Sequence, residues 1–199
     1  MAELLRIFVS ATNDLETERA IIGRALAHLP VQIGAEIRRT PVEGASYETM
    51  FELIANCDQI YFMLGQDITA PAGAEWHIAA EVERSILYLR NASYPTLAAR
   101  EFMRGKFVDW HMFRSTDELA RIVTLDLIRI LNHHHNRYGL TVSEIELLST
   151  HAQRMRAAAP VAGSLSPADE EDGGGAEGGG VILDHGRREP MQGVLVGER

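Results

Sequence analysis

The chain has 199 residues, 46% hydrophobic and 24% charged, an ordinary balance for a globular domain with some chain to spare. Its net charge of −9 excludes nucleic-acid or anionic-membrane binding by bulk charge. No apolar run approaches the ~18 residues of a membrane span, Glu3 in the opening MAELLRIFVS argues against a signal peptide, and the single cysteine allows no internal disulfide, so the expectation is a cytoplasmic protein with neither membrane nor nucleic acid as partner.

Arg6–Ser10 (RIFVS) reads as a strand covered on both faces, because it is almost continuously apolar. Asn13 then caps a helix, with Asn13 and Glu16 in capping-box spacing and Ile21, Ile22, Ala25, Leu26 and Leu29 as its apolar stripe. Pro30 ends that helix, and Val31–Ile37 is a second strand. Tyr47–Asn56 is a helix with Met50, Leu53 and Ile54 inward. Cys57 follows as a buried small residue rather than a reactive thiol. Gln59–Leu64 (QIYFML) is a third strand, Gly65–Gly73 a loop, Ala74–Arg84 a helix and Ser85–Arg90 a fourth strand. A loop with a short helix leads to a weaker fifth strand, Phe107–Phe113. The long helix Thr116–His135 and a last helix opened by Thr141 or Ser143 complete the domain, residues 1–156.

Composition then changes sharply. Residues 157–180 are Ala, Pro, Ser, Gly and acid, which cannot bury enough apolar surface to order themselves and read as a flexible linker. Residues 181–199 regain a few apolar positions, too few for a domain, as in a truncated or divided gene product.

Alternating strands and helices imply a parallel five-stranded α/β sheet with helices on both faces, in the flavodoxin-like order 2-1-3-4-5. Ligands of such folds bind at the carboxyl ends of the strands, where the loops after strands 1 and 3 meet. Those loops are SATND and GQDITAPAGAE. Gly65 and Gly73 give a ligand access to backbone, Asp67 lies between them, and Glu75 follows at the mouth of the crevice. A carboxylate beside an anomeric carbon serves as nucleophile or stabilises an oxocarbenium-like transition state. The plainer account of Glu75 is an acid favoured by a helix N-terminus. Ser10, Thr12 and Asn13 suit ribose or phosphate, or equally turn and cap hydrogen bonds. His133, His134 and His135 are consecutive, so on a helix they splay by about 100° each and hold no single ion; no metal is expected. A Gly-rich phosphate loop with Lys, Gly-x-Gly-x-x-Gly and a Ser–His–Asp elbow are all missing, and no cofactor is expected. A phosphoryl receiver needs an acidic pair after strand 1 and an Asp ending strand 3, where this chain has Leu64-Gly65.

RIFVSATNDLETER, with IANCDQIYFMLG and GAEWHIAAE, resembles a prokaryotic domain family of unknown function placed near TIR domains and nucleoside 2-deoxyribosyltransferases. Phe8, Val9, Ser10 and Thr12 match its strand motif; Asp14, Leu15, Glu18 and Arg19 match the helix that follows. Cys57, Asp58 and Gly65 match the pair and the Gly flanking its later strand. Ala11 replaces the family's second Ser, and Gly73-Ala74-Glu75 lacks the Thr that precedes the deoxyribosyltransferase nucleophile. The resemblance implies a TIR-like signalling or defence domain that cleaves an N-glycosidic bond of a nucleotide such as NAD, with Glu75 catalytic. The alternative is a non-catalytic module that binds a nucleotide or a protein partner, or self-associates, since the family's domain sits in larger signalling proteins.

Overall fold

A computed structural model describes residues 2–105 and 108–158. The linker and tail expected at 157–180 and 181–199 lie outside the described residues, apart from Ala157 and Ala158. Five strands form one parallel sheet in the order β2-β1-β3-β4-β5: β1 Leu5–Ala11, β2 Ala35–Arg38, β3 Gln59–Leu64, β4 Ile86–Asn91 and β5 Trp110–Phe113. This is the doubly wound α/β topology, with the chain reversing its direction of winding between β1 and β3. No described helix is long and apolar enough to cross a membrane.

The alternation of a strand decides which helices cover which face. Leu5, Ile7, Val9 and Ala11 of β1, with Tyr61 and Met63 of β3, pack under α1 (Glu16–Ala27), α5 (Thr116–Leu131) and α6 (Val142–Ala157). Phe8 and Ile60 point the other way, onto α2 (Tyr47–Ala55) and α3 (Ala70–Glu81). Phe62 and Leu64 continue that face onto Ala72 of α3 and Ala99 of α4 (Leu97–Arg104). Apart from Arg6 at the start of β1, both faces of β1 and β3 are dry, which is why their sequences are largely apolar without alternation. Ser10 shares the Phe8 face and is therefore aimed at α3.

Several boundaries differ from the sequence expectation. The second strand is shorter: Leu5 pairs with Ala35, and β1 offers no earlier ladder partner. Asn13 does not cap α1. It opens a 3-10 turn, Asn13–Leu15, with no side-chain cap, and Glu16 pairs with Arg19 instead of closing a capping box. Helix α3 begins at Ala70, four residues before the expected start, because Pro71 fits a first helical turn that needs no N–H there. Helix α5 ends at Leu131 rather than His135. Thr141 is the residue that opens α6, in a complete capping box with Glu144.

Candidate functional site

The earlier start of α3 changes what Glu75 is. It is no longer a helix-opening acid but sits in the second turn, on the buried stripe Ala72, Glu75, Ile78, Ala79. That stripe packs against the β1 face carrying Phe8 and Ser10, so helical and strand periods together drive the carboxylate inward. Glu75 is 6% exposed. Its Oε2 accepts a hydrogen bond from the Ser10 hydroxyl and its Oε1 one from the Thr40 hydroxyl. Burial pushes its pKa up; the Ser10 and Thr40 hydrogen bonds and the charge of Arg19 oppose that rise without cancelling it.

Glu75 lies at one side of a cleft of about 570 Å³. Its walls come from the end of β1 (Ala11), from the 3-10 turn after it (Asn13), from α1 (Glu16, Arg19) and from the segment after β2 (Arg39, Thr40). Pro71 and Ala72 of α3 close it. Glu75 and the SATND turn therefore face one void, at the carboxyl end of the sheet and at its topological switch. Thr40 and Arg39 carried no signal in the sequence, because the segment after strand 2 has no motif. Its proximity follows from β2 lying beside β1. A second hollow, of about 510 Å³, runs between the β2 edge and α2, lined by Glu36, Arg38 and Glu52 among others. It holds no buried acid, whereas the first is bordered by Glu75.

The remaining expected site residues divide between cleft and scaffold. Asn13 lines the cleft. Ser10, 1% exposed, reaches it only through Glu75. The Thr12 hydroxyl is engaged twice: it donates to Asp14 Oδ1 at 2.6 Å and accepts from the Gly65 N–H at 3.0 Å. Asp14 Oδ2 accepts the Gln66 N–H at 2.7 Å, so Thr12 and Asp14 clasp the loops after β1 and β3 together. Gly65 makes room for that clasp, since a Cβ there would lie 2.0 Å from Asp14 Oδ2. Asp67 turns away from the cleft, accepting from the Ile68 N–H at 2.9 Å and from Thr96, the cap of α4. Gly73 lies inside α3 rather than in a loop, and a Cβ there would meet nothing within 4 Å.

Two further sequence readings meet the structure here. Cys57 is buried, donates to Ile54 O at 2.9 Å, and has its thiol pushed up to about 11 by burial, so it is not a nucleophile. The expected splay of His133, His134 and His135 does not occur, because α5 stops first. The three exposed rings gather in the turn that follows, with their ligand nitrogens within 4.8 Å of one another.

No family model matches the chain, and no curated protein matches it. Among solved structures, the chain is similar to a CMP N-glycosidase of Clostridium botulinum at 18% identity and a TM-score of 0.41, covering 61% of this chain and 98% of that one. It is also similar to the metal-soaked Flv1 flavodiiron core of Synechocystis, at 15% identity and a TM-score of 0.33, covering 78% of this chain and 36% of that one. At these scores neither likeness bears on the site, which stands on its own geometry.

Proposed function

We propose that the cleft cleaves the N-glycosidic bond of a nucleotide, with Glu75 as the catalytic carboxylate. One observation carries the reading: a buried acid, fixed through both oxygens by neutral hydroxyls, borders a void of nucleotide size at the switch point of an α/β sheet. Bond cleavage at an anomeric carbon builds positive charge on the sugar, and a positioned carboxylate either stabilises that charge or bonds to the carbon. Ser10 keeps Oε2 oriented, while Thr40, on the segment bordering the cleft, releases Oε1 toward the sugar. Partial desolvation strengthens the field at the reacting atom. Asn13, which lines the same cleft, is placed to meet a ribose hydroxyl.

The test is release of free base or nicotinamide from a panel of nucleotides and NAD. Wild type should release it from at least one, and Glu75→Gln should lose about 10³-fold or more of that rate while keeping the wild-type circular dichroism spectrum. Equal silence of both proteins across the panel rejects the reading. A non-catalytic nucleotide- or partner-binding module has one observation in its favour, that both oxygens of Glu75 are already engaged. It requires binding without release, unchanged in rate by Glu75→Gln.

A further inference from the structure

The cleft carries a second feature that glycosidic chemistry at Glu75 does not use. Arg19 and Arg39, from different elements, converge on one carboxylate. Arg19 Nη1 donates to Glu16 Oε2, and Arg39 Nη1 donates to Glu16 Oε1 at 3.3 Å. All three residues line the same void as Glu75.

The two arginines are held differently. Arg19 is 20% exposed, and its Nη2 is fixed by a 2.8 Å hydrogen bond to the Ala11 carbonyl, so it belongs to the wall. Arg39 is 50% exposed and Glu16 64% exposed. Their pairing is of the exposed, solvent-screened kind that holds weakly. Two guanidiniums thus share one exposed counter-ion, held closely by Arg19 and weakly by Arg39, and together they leave a net positive charge at the rim.

We propose that Arg19 and Arg39 form a subsite for a phosphate group of the ligand, and that Glu16 is the resident anion which the phosphate displaces. This rests on the reading of the Glu75 cleft as a nucleotide site. Planar guanidiniums match the oxygen spacing of a phosphate and bind it through paired hydrogen bonds. A phosphate monoester carries nearly two charges where Glu16 carries one, so exchange is favoured at a site with two cations. Position agrees as well. Arg19, Arg39 and Glu75 line one void, so a phosphate on the arginines and a sugar at Glu75 occupy one continuous space. Glu16 then has a specificity role: it cancels one of the two positive charges and so discourages weaker anions until a more highly charged group arrives.

The test is calorimetric titration of the full chain at low salt. The probes are inorganic phosphate, the four common ribonucleoside 5′-monophosphates and the matching nucleosides. At least one monophosphate should bind about tenfold or more tightly than its nucleoside, with the advantage shrinking as salt rises. Arg39→Gln should erase about tenfold of the monophosphate affinity and leave the nucleoside unchanged. Glu16→Gln should strengthen monophosphate binding severalfold, an outcome that a merely structural ion pair does not give. Both side chains are exposed, and circular dichroism checks that the variants fold. Equal binding of monophosphate and nucleoside, absence of monophosphate binding, no response to Glu16→Gln, or inorganic phosphate binding alone overturns the proposal. The two readings fail separately. The expected binding pattern without base release defeats the glycosidic reading and keeps the subsite. Equal base release from nucleosides and monophosphates does the reverse.

Discussion

Ser10 and Thr12 lie two residues apart at the end of β1, each a hydroxyl and each about 1% exposed, yet they serve different structures. Thr12 is committed to the clasp with Asp14, Gly65 and Gln66, where every partner is backbone or a neighbouring loop. Ser10 is committed to Glu75, whose other oxygen is held from across a void. The clasp is closed chemistry: the Thr12 hydroxyl, the Asp14 carboxylate and the Gly65 and Gln66 N–H groups satisfy one another. The cleft is open, because Thr40 and Glu16 border the void, where the proposed ligand would take their place as partners. Burial alone does not separate the two; what separates them is whether the partner borders empty space.

That contrast is sharpest at Gly65. Replacing it with Ala puts a methyl into the Asp14 carboxylate, and the expected cost is about 2–3 kcal/mol of stability by urea unfolding. Asp14→Ala is expected to cost about 2 kcal/mol by leaving the Thr12 hydroxyl and the Gln66 N–H without their acceptor. The two effects should not add, since removing the Asp14 side chain removes the obstacle to the methyl that Gly65→Ala introduces. A double variant no worse than the worse single one supports the clasp. Simple additivity would show that Gly65 is constrained by something other than Asp14.

The sheet was legible in the sequence because β1 and β3 must be apolar on both faces, and that pattern leaves few alternatives. The switch-point position of SATND and of Glu75 followed from topology. What could not be read was the start of α3. In the sequence Gly73 reads as the last residue of a loop, whereas Pro71 has already begun the helix, and a shift of four residues moves Glu75 from an exposed first turn to a buried stripe. Thr40 and Arg39 were invisible for another reason. Their role comes from β2 lying next to β1, a relation across the sheet that no local spacing encodes. Asp14 matches a motif without a mechanism, which the clasp supplies.

The cleft is tested by pH. The Glu75 carboxyl is raised by burial above its ordinary value in the folded chain and is ordinary in the unfolded one. The folded state therefore holds the proton more tightly. The resulting stability is fully present below the ordinary carboxyl range and is lost as pH rises through the raised native value. Glu75→Gln cannot titrate. Its stability relative to wild type should therefore improve as pH rises from the ordinary carboxyl range through the raised native value and then level off, whereas clasp variants such as Asp14→Ala should show no such trend tied to Glu75. A flat difference between wild type and Glu75→Gln would mean that the Ser10 and Thr40 hydroxyls fully offset the burial.

The smallest expected effect bears on the residue whose role changed most. If Gly73 were a loop glycine that lets a ligand reach backbone, Gly73→Ala would obstruct binding and do nothing for stability. Inside α3, with nothing within 4 Å of the added methyl, the same substitution restricts the unfolded chain and suits the helix. It should stabilise the protein by about 0.5–1 kcal/mol, read as a small rise in the urea midpoint. Ligand affinity should stay at the wild-type level, because Gly73 does not border the void that Glu75, Arg19 and Arg39 share. A loss of affinity with unchanged stability would return Gly73 to the ligand and shift the mouth of the cleft toward the start of α3.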